Sequence, residues 1–290
     1  MQSCDLCSTK PLNLKLRLPS FSILECRSCG LLVQCPLPSQ EDLDAIYDDP
    51  EYWSRPYFSN CGRDYRRDDK TRMFEEGLER ISRLCPAKGP LLDVGCGTGV
   101  FLDIARKAGW EVSGIDSSRY VVECAKRNFG VQVRHGLAEE ILFPGNQYRA
   151  ITLWDVIEHV RSPIKLVNSL SKALLPEGII LIFTPRANSF VREISPLLDS
   201  VIPPKPKSFV EMIYSPLHLH YFNKPNMRTL LQENLVRVLE EHQAPMAPKR
   251  AGHGTPARQI LLRYLDMGGS MIGKSYRFIT IGQRSQNDGR

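Results

Sequence analysis

At 290 residues, the chain is long enough for about two domains. Hydrophobic residues make up 42% of it and charged residues 24%, which is ordinary for globular proteins and excludes wholesale disorder and fibrous repeats. The net charge of +6 is too modest to indicate nucleic-acid binding by itself. Apolar runs are too short for a membrane span, and the polar N-terminus does not resemble a signal peptide. We therefore expect a soluble, cytoplasmic protein in a reducing compartment.

The first forty residues carry two Cys-x-x-Cys pairs, Cys4 with Cys7 and Cys26 with Cys29. Two such pairs can offer four thiolates in a tetrahedron, the arrangement that zinc prefers. We expect a structural zinc site in a zinc-ribbon-like module over residues 1–38, with free thiols or redox catalysis by one pair as alternatives. An odd total of nine cysteines argues against a fully paired disulfide framework. The cysteines expected to be unpaired thiols are Cys35, Cys61, Cys85, Cys96 and Cys124.

Local patterns predict the elements that follow the first cysteine pair. Alternation over residues 12–18 predicts a half-buried strand. Ser39, followed by acidic residues, predicts the cap of a short helix. An apolar face over residues 64–84 predicts a longer helix. Together these helices form a predicted connector over residues 39–88.

From residue 89 onward, short apolar strands alternate with helices. The predicted strands are 91–94, 111–115, 131–134, 150–154, 178–184 and 275–283, and the predicted helices are 100–108, 118–128 and one beginning at Ser162-Pro163. This alternation predicts an α/β fold, a doubly wound, Rossmann-like and mostly parallel sheet. The predicted domain covers residues 89–284 with an insertion at 188–222, followed by a disordered tail at 285–290.

The strongest signal is a glycine turn at the end of the first of these strands. Gly95, Gly97 and Gly99 let a ligand approach the backbone, and the helix that follows points free N–H groups at it. Asp116 closes the next strand, where a carboxylate can accept hydrogen bonds from a ribose. The spacing differs from that of dinucleotide enzymes and favours an adenosyl ligand without a pyrophosphate. A glycine turn in some other α/β protein is the alternative.

Over about residues 89–184 the sequence resembles the class I S-adenosylmethionine-dependent methyltransferases. Residues 154–160 (Trp-Asp-Val-Ile-Glu-His-Val) are similar to that family's fourth-strand motif, and residues 218–222 (His-Leu-His-Tyr-Phe) to a segment of its small-molecule branch. The resemblance implies S-adenosylmethionine as cofactor. The cofactor-binding residues that it implies are Asp93, Gly95, Cys96, Gly97, Gly99, Asp116, Ser117, Ala138, Glu139, Trp154 and Asp155.

The resemblance also assigns parts of the cofactor to these residues. Asp93 and the three glycines surround the methionine part, Asp116 holds the ribose, and Glu139 flanks the adenine. At Cys96 the backbone, rather than the sulfur, is expected to matter. Leu137 departs from the family, which often has an acidic residue facing the adenine amine there. The Ala138 backbone or Glu139 are the alternatives for that contact.

Three histidines are candidates for the chemistry of methyl transfer. His159 follows the fourth strand, and His218 and His220 lie in the insertion after the fifth. Ligands of open α/β sheets bind outside the carboxyl ends of the strands, so these positions could face an acceptor. For a hydroxyl acceptor a general base helps, and histidine suits that role. We predict His218 first and His159 second as catalytic residues; the alternative is that each only caps a loop or packs.

Two further segments have open interpretations. The insertion at residues 188–222 is rich in proline and apolar residues and is either a lid over the acceptor or an ordinary surface insertion. Tyr52, Trp53 and Tyr57 either close the cofactor side or pack between the modules.

The sequence predicts a methyltransferase that acts on a small molecule by O- or C-methylation. One alternative is an RNA methyltransferase in which the cysteine module holds RNA. The first forty residues carry only four basic side chains against two acidic ones, which argues against a nucleic-acid partner. The other alternative is a non-catalytic binding protein of the same fold. Nothing in the sequence indicates an oligomeric state.

Overall fold

The computed structural model describes residues 3–8, 11–54, 69–202, 208–246 and 255–286. The strands are β1 (Asn13–Arg17), β2 (Ser22–Glu25), β3 (Leu32–Cys35), β4 (Pro90–Val94), β5 (Glu111–Asp116), β6 (Val133–His135), β7 (Tyr148–Trp154), β8 (Leu174–Pro185), β9 (His220–Tyr221), β10 (Val236–Ala244) and β11 (Arg277–Arg284). The helices are α1 (Gln40–Tyr47), α2 (Pro50–Ser54), α3 (Asp69–Leu84), α4 (Val100–Lys107), α5 (Arg119–Phe129), α6 (Pro163–Ala173), α7 (Phe190–Val201), α8 (Phe209–Ile213), α9 (Lys224–Glu233) and α10 (Pro256–Met271). The strands and helices predicted from residue 89 to 184 are all present, with ends displaced by a few residues.

A seven-stranded sheet in the order β10-β11-β8-β7-β4-β5-β6 forms the centre of the fold. Strands β8, β7, β4, β5 and β6 are parallel, whereas β11 runs antiparallel to both of its neighbours. The central parallel strands β4, β7 and β8 contain continuous runs of mostly apolar residues that are buried on both faces of the sheet, over residues 91–94, 150–154 and 178–185. The prediction of a Rossmann-like, mostly parallel sheet is confirmed. The sequence patterns did not identify β10, which pairs with the predicted late strand.

Parallel pairing brings the carboxyl ends of β4, β5 and β7 to one edge of the sheet. Val94 at the end of β4 lies in register with Ile115 of β5 and Leu153 of β7. The chain then turns back at this edge, where the N–H groups of Gly95 and Cys96 both donate to the Ile115 carbonyl, at 2.7 and 3.1 Å. The residues that follow these three strands are therefore neighbours in space.

The N-terminal region forms most of a second sheet, which has four antiparallel strands in the order β1-β2-β3-β9. Its first three strands come from the first forty residues, as the alternation over residues 12–18 indicates for β1. Its fourth strand, β9, comes from the insertion after β8 and was not predicted. The boundary at residue 38 stays a prediction, but buried residues on both sides of it, including Val33 and Phe222, share one apolar cluster.

The described part of the insertion at residues 188–222 is packed into the protein. Val191 of α7 and Phe209 and Ile213 of α8 are at most 2% exposed and belong to one apolar cluster. The proline-rich residues 203–207 lie outside the described residues, and a lid function stays a prediction.

The described part of the predicted connector contains the helices α1, α2 and α3. Ser39 caps α1 through a capping box with Asp42, as predicted. The longer helix ends at Leu84, and its described part begins at Asp69. Residues 64–68 of that prediction lie outside the described residues, as do residues 287–290 of the predicted tail. Among the helices that can be described, none combines the length and apolar character needed to cross a bilayer.

Candidate active site

The glycine turn after β4 adopts the left-handed backbone that favours glycine. The φ angles of Gly95, Gly97 and Gly99 are +65°, +52° and +85°. A Cβ atom on Gly95 would lie 2.4 Å from Val156 Cγ2, so a side chain there would collide. A Cβ atom on Gly97 would meet no atom within 4 Å. The backbone at Gly97 is thus accessible to a ligand, directly before the first turn of α4.

Asp116 fixes this turn from the neighbouring strand. The N–H of Gly97 donates to Asp116 Oδ2 at 2.8 Å, and the N–H of Ser118 donates to Oδ1 at 2.9 Å. The carboxylate is only 7% exposed, and burial raises its pKa to about 6 while the two N–H donors oppose that shift. A carboxylate offers about four lone-pair positions, so each oxygen keeps capacity for a further donor such as a ribose hydroxyl.

Asp93 and Cys96 lie on either side of the same turn. Thr152 Oγ1 donates to Asp93 Oδ1 at 2.6 Å, and the carboxyl is 2% exposed. Burial raises the pKa of Asp93 well above its usual value, and the negative charge of Asp116 adds to that shift. Cys96 Sγ points at Gly114, where a Cβ atom would lie 2.6 Å from the sulfur. The placement of this sulfur in the interior agrees with the expectation that only the backbone of Cys96 is available to a ligand.

Two further residues of the predicted cofactor-binding set, Ser117 and Glu139, are linked to the rest of the site by hydrogen bonds. The carbonyl of Ser117 lies 2.9 Å from His135 Nε2. Glu139 Oε1 accepts from the Arg161 N–H at 3.1 Å, which connects it to the loop after β7. Ala138 is buried. Their contacts with the cofactor stay predictions.

The side chain of Trp154 lies in an aromatic cluster beneath α3. Its ring is 5.0 Å from that of Phe74, 5.3 Å from Phe101 and 5.8 Å from Phe183. The indole is 8% exposed, and among the described residues its Nε1 has no hydrogen-bond partner. A role for Trp154 at the cofactor stays a prediction, and its ring helps to form the core below the site.

The two predicted catalytic histidines come together outside the ends of β7 and β8. The rings of His159 and His218 are perpendicular, with centroids 4.8 Å apart. Glu158 Oε1 lies 4.0 Å from His159 Nε2. One potential ligand atom from each of Glu158, His159 and His218 lies within 4.8 Å of the other two, close enough for one polar group to contact all three.

Hydrogen bonds hold His159 in one orientation. Its Nδ1 lies 2.8 Å from the Leu217 carbonyl and 2.9 Å from the hydroxyl of Tyr47. Because a carbonyl can only accept, Nδ1 carries the proton and Nε2 is left as an acceptor on the side of Glu158. Burial lowers the pKa of His159 to about 4, so the ring is neutral at pH 7.

Tyr47, the last residue of α1, was missed by the sequence analysis. That analysis singled out the nearby aromatic residues Tyr52 and Trp53, whereas Tyr57 lies outside the described residues. Tyr52 packs edge-on against the Tyr47 ring at 5.5 Å, and Trp53 Nε1 donates to the Tyr47 carbonyl at 2.6 Å. These two residues therefore support Tyr47, which makes the contact with His159. The sequence signal that could have identified Tyr47 is its position at the end of the short capped helix α1.

Buried ionisable side chains surround the two histidines. Arg277 at the start of β11 is 2% exposed, and its Nη2 lies 3.6 Å from Asp155 Oδ1. Glu158 is fully buried and accepts from Thr184 Oγ1 at 2.8 Å, and burial raises its pKa to about 8. A lone arginine in a β-strand gives no motif, so sequence reasoning could not find Arg277.

Three buried polar atoms near this point lack a hydrogen-bond partner among the described residues: Glu158 Oε1, His218 Nδ1 and Arg277 Nε. Buried polar atoms are nearly always paired in folded proteins, so a cluster of unpaired ones is a site where a polar ligand group gains contacts. Burial, together with the cations Arg192 and Arg277, lowers the pKa of His218 well below its usual value. A neutral His218 can accept a proton.

His220 does not join this cluster. Its ring is fully buried, with Nε2 3.9 Å from Asp5 Oδ2 in the N-terminal region. The structure thus separates His218 from His220, although the two are only two residues apart in the chain.

The four cysteines of the two Cys-x-x-Cys pairs converge at the N-terminus. Cys4 Sγ lies 3.6 Å from Cys29 Sγ, and Cys7 Sγ lies 3.5 Å from Cys26 Sγ, with all four sulfurs within 4.8 Å of one another. These distances are too long for disulfides, and none of the eight cysteines among the described residues forms one. Cys61 lies outside those residues. Tetrahedral zinc with bonds of about 2.3 Å would separate its sulfur ligands by about 3.8 Å.

Burial also affects the protonation of these sulfurs. Burial raises the pKa of the Cys4 thiol to about 11 and raises that of Cys29 as well. A divalent cation among the sulfurs would reverse this shift by stabilising the thiolates.

The amino-acid sequence matches a known protein family. Residues 65–241, more than half of the chain, match the profile of a family described as a methyltransferase domain. Over 121 residues the chain is 30% identical to a ubiquinone biosynthesis O-methyltransferase of Caulobacter vibrioides, covering 38% of this chain and 48% of that protein. Over 188 residues it is 25% identical to a probable S-adenosylmethionine-dependent methyltransferase of Mycolicibacterium smegmatis, covering 63% and 66%. The chain thus spans about half to two thirds of the length of these relatives.

Solved structures share the fold. The magnesium protoporphyrin IX methyltransferase of Synechocystis, solved with bound S-adenosylhomocysteine, matches with a TM-score of 0.53 at 13% identity, over 74% of this chain and 84% of that one. A methyltransferase of Archaeoglobus fulgidus matches with a TM-score of 0.50 at 16% identity, over 74% and 94%. At these identities the similarity establishes the class I methyltransferase fold alone.

The position of Asp116 predicts a pH dependence of cofactor binding. Ribose hydroxyls donate best to the ionised carboxylate, so a pKa near 6 means that the free protein must release a proton on binding at lower pH. We expect the dissociation constant for S-adenosylmethionine, measured by calorimetry, to be level near pH 7 and to rise by up to about tenfold per pH unit below pH 6. Asp116→Asn should bind more weakly, with a flat profile. Equal affinity of the unmodified protein at pH 5 and pH 7 would contradict the ribose assignment.

Proposed function

The chain belongs to the methyltransferase-domain family, and from this premise we propose that it transfers a methyl group from S-adenosylmethionine to a hydroxyl group of a small molecule. One observation carries the proposal. The turn fixed by Asp116 follows β4, and the His159–His218 pair lies outside the ends of β7 and β8, at the same edge of the sheet. A cofactor site and a proton-accepting site are thus neighbours, as group transfer requires.

The residues of the glycine turn fit the cofactor. When bound, S-adenosylmethionine supplies a methyl group that its sulfonium has already activated. The protein's task is therefore to hold and align the reactants. The exposed backbone at Gly97 and the remaining acceptor capacity of Asp116 are suited to the polar parts of the cofactor.

On the acceptor side, we assign His218 as the general base. Its Nδ1 is unpaired among the described residues, so it is placed to accept the hydroxyl proton as the oxygen–methyl bond forms. The lowered pKa of His218 keeps the ring neutral before the reaction. His159, held by Leu217 and Tyr47, orients His218 through their ring contact. The buried cation of Arg277 favours an acceptor oxygen that has released its proton.

Oxygen is favoured over carbon as the methylated atom by two arguments. The ubiquinone biosynthesis relatives are named O-methyltransferases. A cluster of unpaired buried polar atoms also matches a hydroxyl, which both donates and accepts, better than it matches a carbon nucleophile.

We also propose that Cys4, Cys7, Cys26 and Cys29 bind a structural zinc ion. The convergence of the four sulfurs, at distances close to those of a tetrahedral zinc site, supports this assignment. Four thiolates complete a tetrahedral shell and leave no position for substrate, so such an ion stabilises the fold and does not act in the reaction.

Methyl transfer can be tested with radiolabelled S-adenosylmethionine and a panel of small phenols and other hydroxyl compounds. We expect transfer to an oxygen of at least one of them, identified by mass spectrometry. His218→Gln should lower kcat by about 10² to 10⁴, the usual contribution of a general base, while cofactor affinity stays within about twofold.

The matched control for this test is His242→Gln. That histidine lies on β10 and bonds Glu240 at 2.7 Å, so its replacement should leave kcat unchanged. Unchanged turnover in His218→Gln would overturn the assignment of the base. Failure of the purified protein to bind S-adenosylmethionine would overturn the proposed activity as a whole.

The zinc assignment predicts the metal content of two cysteine variants. The purified protein should contain about one zinc ion per chain, measured by plasma mass spectrometry, and Cys4→Ser should lose it because the shell is incomplete. Cys35→Ser, which alters a free thiol at the end of β3 outside the cluster, should keep it. Full retention of zinc in Cys4→Ser would show that the cluster is not the site.

A further inference from the structure

Strand β9 connects the N-terminal sheet to the candidate acceptor site. Within the sheets it pairs with β3, where Leu32 lies opposite Tyr221 and Val33 opposite His220. The N–H of Gln34 donates to the Leu219 carbonyl at 2.9 Å. The residues that directly follow His218 are therefore bonded to the cysteine module.

The loop after β7 holds the same residues from another direction. The N–H groups of Leu219 and His220 both donate to the Glu158 carbonyl, at 2.7 and 3.1 Å. The backbone next to His218 is thus fixed between the cysteine module and the residue that precedes His159. This arrangement sets the 4.8 Å distance between the two histidine rings.

A second connection runs from the metal-ligand turn itself. The side-chain N–H groups of Asn223 donate to the carbonyls of Cys29 and Gly30, at 3.5 and 3.3 Å, and Asn226 donates to Cys29 at 3.3 Å. A Cβ atom on Gly30 would lie 2.7 Å from Asn223 Nδ2, so only glycine permits this approach. Asn223 caps α9, which follows directly after β9. The residues before and after β9 in the chain are therefore both hydrogen-bonded to the module.

Apolar contacts reinforce these hydrogen bonds. Cys4, Cys26 and Val33 of the module share one buried cluster with Phe222 and Met227, which flank the start of α9. Burial of such side chains contributes about 25 cal/mol per Å² of apolar surface, so the module and the β9 segment stabilise each other.

We propose that the four-cysteine module is a positioning element of the acceptor site, which fixes His218 against His159 by holding β9, and that metal binding determines how firmly it does so. This inference rests on the roles proposed above for His218 and for the cysteine cluster. The glycine turn is held by a separate set of bonds, from Gly97 and Ser118 to Asp116. Loosening the module should therefore affect the acceptor side and leave cofactor binding unchanged.

Amide hydrogen exchange tests this proposal without a methyl acceptor. Asn223→Asp keeps the cap, because a carboxylate oxygen still accepts from the residue-226 N–H, but it removes the side-chain N–H groups through which residue 223 donates to Cys29 and Gly30. We expect exchange over residues 218–222 to accelerate by at least tenfold, while exchange over residues 93–99, zinc content and S-adenosylmethionine affinity stay within about twofold. Gln34→Pro, which removes the N–H donated to Leu219, should do the same.

The matched control is Asn13→Asp. This amide is also in the cysteine module, and within the part of the chain that the structure describes it donates to the nearby Pro11 carbonyl, at 3.2 Å, in a solvent-exposed hydrogen bond. Its replacement should leave exchange over residues 218–222 unchanged.

Removal of metal tests the second part of the proposal. Stripping metal from the unmodified protein with a chelator and reductant should accelerate exchange over residues 218–222 more than over residues 93–99, and added zinc should reverse this acceleration.

Turnover separates positioning from general destabilisation. With an acceptor found in the panel above, Asn223→Asp should lower kcat by at least fivefold while the KM for S-adenosylmethionine stays constant. Equal exchange over residues 218–222 in the variants and the unmodified protein would overturn the proposal, even if the protein methylates. So would equal acceleration over residues 93–99, or an insensitivity of residues 218–222 to added and removed zinc. Because exchange needs no acceptor, a failure of the proposed methyl transfer would show in the turnover assay alone.

Discussion

The hydrogen bonds from the N–H groups of Gly97 and Ser118 to Asp116 tie together two neighbouring strand ends, and the candidate active site is built around them. They fix the left-handed turn after β4 and leave the backbone at Gly97 accessible. They also offset the free energy that burying the Asp116 carboxylate would otherwise cost. The turn can hold this conformation before any ligand arrives, so binding need not spend free energy on ordering it.

The acceptor side depends on a different constraint, the burial of several polar groups in one place. Arg277 and Asp155 have opposite charges and lie close together, which reduces the cost of burying each. His159 is neutral, and its Nδ1 is committed to Leu217 and Tyr47. The two histidines thus lie in a buried setting where little water competes for hydrogen bonds, and such a setting strengthens electrostatic effects on any group that binds there.

The two sheets of the protein meet at the segment that carries His218. A strand of only two residues, β9, has little stability alone and depends on β3 for its backbone partners. The cysteine module is therefore bonded to the segment that follows His218. Its four sulfurs form a group separate from the Glu158–His159–His218 cluster.

The sequence by itself determined the features that depend on neighbours a few residues away: the glycine turn, the Ser39 cap, the spacing of the cysteine pairs and the strand that ends at Asp116. Local backbone geometry and hydrogen bonding fix these, so residue type and spacing suffice to predict them. Only the tertiary structure decided that His218 meets His159 while His220 faces Asp5, and that Tyr47 and Arg277 complete the cluster. These contacts join distant parts of the chain, and packing of the two sheets and their helices, rather than any local pattern, selects them.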